Sequence, residues 1–211
     1  MAEQDNSQAP ETDAQTPTRK RPKPGERRVQ ILQTLAVMLE QPGAERITTA
    51  ALAAKLQVSE AALYRHFASK AQMFEGLLDF IDQTVFGLVN QIIEREGDGA
   101  QKAARIIAML LQFGERNQGM TRVMVGDALV HENERLQQRM NQFFDRLESS
   151  LRQVLKDAQV VRLSQTPTVE AQVRASVLTA FALGRLQRFA RSGFKKSPTE
   201  QVEAALALVM A

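Results

Sequence analysis

The amino-acid sequence predicts an all-α protein of about nine helices, in which a small helix-turn-helix domain precedes a larger helical domain. In each patterned segment, apolar residues recur at the spacing of one helix face and not with the alternation of a strand. Turn residues separate these segments, as at Pro42-Gly43 and Asn117-Gln118-Gly119. The positive charge is concentrated in the first third of the chain. Together these observations favour two helical units with different tasks.

Composition limits the class of protein. With 211 residues and 44% hydrophobic side chains, the chain can bury a sizeable core. It contains no cysteine, which excludes disulfides and thiolate metal sites and fits a reducing compartment. We find no run of 18 apolar residues and no apolar N-terminal signal segment, so we expect no membrane partner and a cytoplasmic protein.

The net charge of +3 conceals an uneven distribution. Residues 1–17 contain four acidic residues and no Lys or Arg, whereas residues 18–70 contain ten Lys or Arg against four Glu. An excess of cations confined to one region suits the neutralisation of phosphates, which indicates nucleic acid as a partner.

Residues 1–24 are rich in Gln, Thr, Pro and acidic side chains, a composition that predicts a disordered tail. The tail ends in a basic arm, Arg19-Lys20-Arg21-Pro22-Lys23. Two interpretations stay open. The arm lies along a minor groove or the phosphate backbone, or it only keeps the protein soluble.

Residues 25–70 are predicted to form the helix-turn-helix domain, with the motif at about 48–67. A first helix is expected from Glu26 to Gln41, ended by Pro42-Gly43. Thr48 and Ser59 are the predicted N-caps of the two motif helices. The outward side of the second motif helix combines small, hydrogen-bonding and cationic side chains, which suits a helix in the major groove of DNA.

Residues 71–211 are predicted to form a helical dimerisation domain. Expected helices run from Met73 to about Arg95, then over 100–116, 121–130 and 132–156, with one more starting at Thr166-Pro167. A capping box, Ser197-Pro198-Thr199-Glu200, is expected to start the last helix. The seam of 132–156 resembles a short coiled coil, although in a compact domain such a seam is core. The last two long helices are apolar over wide arcs, which predicts a homodimer built as a four-helix bundle.

Several segments carry a family resemblance: RITTA (46–50), LAAKLQVSEAALYRHFASK (52–70), MFEGLLDFI (73–81), FGERN (113–117), LQQRMNQFF (136–144) and LRQVL (151–155). The chain resembles the TetR family, and within it the nucleoid occlusion factors, over roughly residues 26–200. The resemblance implies a homodimer on double-stranded palindromic chromosomal DNA, nucleoid-associated, which antagonises polymers of the division protein FtsZ when bound to DNA.

The resemblance also implies functional residues. The C-terminal tail of FtsZ would be engaged by Phe80, Arg116 and Asn117. Leu88 stands where the family can carry an arginine, and Gln57 occupies a turn position that usually holds Gly. If Gln57 is left-handed, it costs on the order of 1 kcal/mol. DNA-facing positions implied by the resemblance are Thr48, Thr49, Ser59, Ala62, Tyr64, His66 and Lys70. Apart from the resemblance, we also expect DNA contacts from Arg27, Arg28 and Arg65.

Within that set, chemistry suggests roles. Tyr64, His66 and Lys70 would hold phosphates, as would Thr48 and Thr49 through hydroxyl and backbone N–H groups. Base or methyl readers are expected to be Ser59, Ala62 and Arg65, although Arg65 could turn to a phosphate instead.

The alternative function is a conventional TetR-family repressor released by a small apolar ligand. An enzyme is not expected, because no Gly-rich phosphate loop, nucleophile elbow or paired carboxylates occur. No cofactor is predicted. His66 and His131 are the two histidines, and no cysteine or carboxylate cluster joins either of them to make a metal site.

Overall fold

A computed structural model describes residues 25–41, 47–95 and 97–210, and within these ranges the chain forms ten α-helices. The predictions for the N-terminal tail and for Pro42-Gly43 lie outside the described residues. No described helix is both long and apolar enough to cross a membrane. The helices are α1 (Glu26–Leu39), α2 (Thr49–Leu56), α3 (Glu60–Tyr64), α4 (Lys70–Glu94), α5 (Gly99–Arg116), α6 (Gln118–Met124), α7 (Glu134–Leu155), α8 (Gln159–Arg162), α9 (Pro167–Arg191) and α10 (Val202–Met210), with a 3-10 helix at Asp127–Leu129.

The first three helices and the start of α4 share one small core. Leu35 of α1, Leu52 of α2 and Leu63 of α3 are almost fully buried, as is Phe67 between α3 and α4. In α2 and α3 the buried apolar residues lie on the inner face, and the polar side chains lie on the outer face. This arrangement presents the helix-turn-helix on the surface.

Four long helices form the second unit. Ion pairs join α4 to α7 in register, with Arg139 bonded to Asp79 and Arg146 to Asp82, which makes these two helices parallel. α5 and α9 run in the opposite direction, back toward the helix-turn-helix. The predicted coiled-coil seam of α7 is core: Leu136, Met140, Phe143, Leu147 and Val154 are buried within the chain.

The predicted turn at Asn117-Gln118-Gly119 is confirmed only at Asn117, which separates α5 from α6; Gln118 and Gly119 already belong to α6. Gly119 is there for packing. A Cβ on Gly119 would lie 2.1 Å from the carbonyl oxygen of Ala36, so only glycine lets α6 approach α1 this closely.

An additional helix, α8, lies between α7 and α9, where the sequence predicts no helix. The Asp98 carboxylate caps α5 through the Ala100 N–H at 2.8 Å and also accepts the Gln159 N–H at 2.9 Å. The hydrogen bond from Gln159, together with the other backbone N–H groups, lowers the pKa of the Asp98 carboxyl. Val161 is fully buried, so α8 forms because it covers the end of the core.

The predicted capping box at Ser197-Pro198-Thr199-Glu200 is wrong. Regular helix starts only at Val202, after Gln201 with φ of 50°. The hydroxyls of Ser197 and Thr199 donate to the Glu115 carboxylate, with the Thr199 bond at 2.7 Å. They are therefore engaged by α5 and do not cap α10.

Candidate nucleic-acid interface

The turn between α2 and α3 has the geometry of a helix-turn-helix. Gln57 adopts φ of 55° and ψ of 47°, a left-handed conformation, so the condition that the sequence analysis left open is met. The predicted caps are also confirmed. Thr48 Oγ1 accepts the Ala51 N–H at 3.1 Å, and Ser59 Oγ accepts the Ala62 N–H at 3.3 Å.

Several predicted DNA-contacting side chains are bonded to one another. The Thr49 hydroxyl donates to Glu60 Oε2 at 2.7 Å, and the Tyr64 hydroxyl donates to Thr49 Oγ1 at 3.4 Å. Tyr64 nevertheless remains 45% exposed. Arg65 is exposed and Ala62 is half-buried on the same short helix. The structure thus places these residues on one outward surface of α2 and α3.

The two predicted arginines of α1 have different surroundings. Arg28 donates to the backbone carbonyl of His66 and lies 4.1 Å from the centre of the Phe67 ring. It therefore ties α1 to the end of α3. Arg27 is half-buried and lines a shallow depression between α1 and α2 that also contains Lys55, a cation that the sequence analysis did not select.

Lys70, the first residue of α4, forms an ion pair with Glu132, whose side chain is nearly buried. Its ammonium group also lies 5.7 Å from the centre of the Phe74 ring. The sequence analysis did not anticipate Glu132, because 62 positions separate the two residues and no local pattern connects them. The contact joins the start of α4 to the segment before α7.

A second exposed surface lies where α4 meets the end of α5. Phe80 is 46% exposed, and its ring centre lies 6.4 Å from that of the buried Phe113. The Asn117 amide donates to the Phe113 carbonyl at 2.7 Å and closes the end of α5, next to the exposed Arg116. Leu88 is half-buried two turns further along α4.

The helices of the predicted dimer interface expose apolar side chains. On α9, Val169, Val173 and Val177 follow one another at four-residue intervals and are half exposed. On α10, Leu208 is 82% exposed. His131 is also exposed, and the described residues contain no group of three or more His, Asp or Glu placed to hold a metal ion.

Comparisons with known structures agree with this architecture. A transcriptional regulator from Rhodococcus sp. Rha1 superimposes with a TM-score of 0.69 at 23% identity, covering 87% of this chain and 93% of that one. The fatty acid degradation regulator FadR from Bacillus halodurans superimposes with the same TM-score at 15% identity, covering 90% and 97%. These superpositions show a shared fold, in which a helix-turn-helix is joined to a larger helical domain.

Sequence comparisons are more specific. Residues 31–77 match the family of bacterial regulatory proteins, tetR family, and residues 98–211 match the SlmA-like model of the tetracyclin repressor-like C-terminal domain. The nucleoid occlusion factor SlmA of Idiomarina loihiensis is 49% identical over 178 residues, 84% of this chain and 90% of that protein. SlmA of Vibrio vulnificus is 48% identical over 190 residues, 90% and 96%. The chain therefore belongs to the SlmA nucleoid occlusion factors of the TetR family.

Proposed function

We propose that a homodimer of this chain binds palindromic chromosomal DNA and, in the bound state, antagonises FtsZ polymers, so that a septum does not assemble over the nucleoid. The observation that carries this proposal is the pair of separate exposed surfaces in one member of the SlmA family. One surface is the outward side of α2 and α3, and the other is the Phe80–Arg116 surface. A protein with both can connect DNA occupancy to a protein partner.

The helix-turn-helix surface supplies the DNA contacts. Tyr64, His66 and Lys70 would hold phosphate oxygens, and the hydroxyls of Thr48 and Thr49 would add to this set. Ser59, Ala62 and Arg65 lie on the outward side of the recognition helix, where they would read base edges or thymine methyl groups.

The dimer would form through α9 and α10. The row Val169, Val173 and Val177 continues along α9 into the small exposed residues Ala180 and Gly184, which would allow close helix approach. Two copies of the α9–α10 pair would make a four-helix bundle and remove this apolar row from water. Dimerisation also doubles the number of phosphate contacts, which specific DNA binding needs.

The Phe80–Arg116 surface would bind the C-terminal tail of FtsZ. An exposed aromatic ring supported by Phe113 offers an apolar anchor, and the Arg116 guanidinium can form paired hydrogen bonds with a carboxylate. Asn117 would act by closing α5 and so setting the direction in which Arg116 projects.

The alternative, a repressor released by a small apolar ligand, requires a cavity in the helical domain. Ile106, Ile107 and Leu110 of α5 are fully buried, as are Leu147 and Leu151 of α7. Large side chains packed in this way favour a filled core, which supports the first function over the second.

An FtsZ assembly assay tests the proposal. We expect light scattering by FtsZ polymers to fall when the protein is added with palindromic DNA, and to fall much less with the protein alone. Arg116→Ala should abolish the effect and leave DNA affinity unchanged. Arg105→Ala, which removes another exposed arginine of α5, is the matched control and should behave as wild type. Equal antagonism by the Arg116 variant would contradict the proposed partner surface.

A further inference from the structure

The end of α9 and the segment after it form a basic surface that the proposed function does not use. Residues 184–199 contain five Lys or Arg and no Asp or Glu. Arg185 has an internal task, because it donates to the carbonyls of Pro198 and Glu200. The others are exposed and form no side-chain hydrogen bond or ion pair with any described residue. These four residues are Arg188 and Arg191 in the last turns of α9 and Lys195 and Lys196 after it. We call the four together the basic loop.

The conformation of this segment is well defined. Ser192 Oγ accepts the backbone N–H groups of Lys195 at 3.1 Å and Lys196 at 3.0 Å. Phe194 has φ of 64°, a left-handed conformation that costs a non-glycine residue on the order of 1 kcal/mol. Its ring packs 5.1 Å from that of Phe189, and the Arg122 guanidinium lies 5.2 Å from its centre. Lys195 and Lys196 therefore belong to a turn that these hydrogen bonds and ring contacts hold in place.

The basic loop lies on the same side of the molecule as the helix-turn-helix. The first half of α9 packs beside the far end of α7, where Gln172 donates to Glu148 at 2.8 Å. The opposite end of α9 meets α6 through Arg122 and Phe194, and α6 packs directly on α1 through Gly119. One helix thus separates the loop from the DNA-binding domain.

Stabilisation of the helix dipole explains only part of this charge. Cations in the last turn favour the negative end of α9, which accounts for Arg188 and Arg191. Lys195 and Lys196 follow the helix and lie beyond that turn. The Glu115 carboxylate accepts hydrogen bonds from two hydroxyls and forms no ion pair with either lysine. A concave depression of about 440 Å³ lies among the basic residues, lined by Gly184, Gln187, Arg188, Arg191, Ser192 and Lys196.

We propose that the basic loop binds phosphates of the DNA duplex near the centre of the palindrome. This inference rests on the proposed function, because it requires the dimer on its operator. If α9 pairs with its copy around the two-fold axis, the two basic loops lie beside that axis on the DNA side. Four exposed cations from each protomer would then face the duplex between the two recognition helices, where the helix-turn-helix motifs leave phosphates uncovered.

The test compares two double variants of the full-length protein with the same net charge. Lys195→Gln with Lys196→Gln removes two cations of the basic loop. Lys156→Gln with Arg162→Gln removes two exposed cations at the opposite end of the helical domain. Operator affinity is measured between 50 and 200 mM salt, and circular dichroism checks that both variants are folded. Loss of two phosphate contacts from each protomer, four per dimer, should make the salt-induced fall in affinity roughly a hundredfold smaller for the loop variant, with little change for the control.

Uncharged methylphosphonates at the central phosphates of the operator locate the contact. They should weaken the wild type and leave the loop variant unaffected. Equal salt dependence in both double variants would overturn the inference. So would a loop variant that keeps its operator affinity but binds an acidic FtsZ tail peptide more weakly. Failure of the wild type to bind any palindromic DNA is seen in the first titration, and it would overturn the proposed function itself.

Discussion

The two proposed surfaces differ in how their polar side chains are engaged before any partner arrives. On the helix-turn-helix side, Tyr64, Thr49 and Glu60 form a hydrogen-bonded chain, and Lys70 is paired with Glu132. On the Phe80–Arg116 surface, Phe80 is half exposed and the Arg116 side chain has no hydrogen bond or ion pair with a described residue. We call the helix-turn-helix surface the bonded surface, because its polar side chains already have partners within the chain. We call the Phe80–Arg116 surface the open surface, because Arg116 has no such partner among the described residues.

This difference has consequences for binding. A phosphate bound by Lys70 would replace Glu132 as its partner, so the proposed DNA contact would exchange an internal ion pair for an external one. Because Glu132 belongs to the segment before α7, this exchange would also break a contact between α4 and that segment of the helical domain. A tail peptide on the open surface meets no such competition. We therefore expect mutations on the two surfaces to behave differently.

The largest effect is expected at the contact between α1 and α6, because both surfaces depend on it. Gly119→Ala places a Cβ against the backbone of Ala36 and should push α6 away from α1. Overpacking of this kind costs about 1–3 kcal/mol, so the melting temperature should fall by several degrees and DNA affinity should fall with it. Differential scanning fluorimetry measures the first and an operator titration the second. A Gly126→Ala variant with a larger loss would show that the α1–α6 contact is not the sensitive one.

On the open surface, Phe80→Ala should weaken binding of an FtsZ tail peptide by about 2 kcal/mol, roughly 30-fold, because a central aromatic anchor is removed. Calorimetric titration of the peptide measures this change. Operator affinity should stay within twofold of wild type. Val37→Ala, which removes another half-exposed apolar side chain, serves as control. A Phe80 variant that loses DNA binding instead would remove the distinction between the surfaces.

On the bonded surface, Tyr64→Ala should weaken DNA binding by about 1 kcal/mol, roughly fivefold. The loss should be the same for the operator and for unrelated DNA, because a phosphate contact carries no sequence information. Competition titrations with operator variants measure it. Selective loss at one base pair would contradict the phosphate role.

Glu132→Gln tests the competition at Lys70 directly. Removing the carboxylate frees the ammonium group for phosphate, and since a partly exposed ion pair is worth up to about 1 kcal/mol, DNA affinity should rise about threefold. Glu134→Gln, two positions further and exposed, should leave it unchanged. Lower affinity in the Glu132 variant would mean that the pair positions Lys70 for DNA and does not compete with it.

The smallest effect concerns the turn. Gln57→Gly should raise the free energy of unfolding by about 0.5 kcal/mol, because glycine adopts the left-handed conformation without strain. Chemical denaturation measures this. Gln57→Ala keeps the backbone strain and should not raise the free energy of unfolding. An equal rise in both variants would show that the relief of this strain is not its cause.

Local patterns predicted the helices well, because helical periodicity and capping are properties of neighbouring residues. The caps at Thr48 and Ser59 and the start of α9 at Pro167 followed from residues within a few positions of each other. The errors occurred where distant contacts override local signals. Gly119 looked like a turn residue and is a packing residue, and Ser197 looked like a helix cap and binds Glu115.

The sequence by itself determined the helical class, the helix-turn-helix and the family, because these depend on spacing and on short segments of residues. Only the tertiary structure decided which charges are already engaged. Arg28 meets the end of α3, Lys70 meets Glu132, and the segment after α9 meets α6 through Phe194 and Arg122. Residues dozens of positions apart become neighbours only when the helices pack. Whether a cation is available to a phosphate is therefore a property of the folded chain.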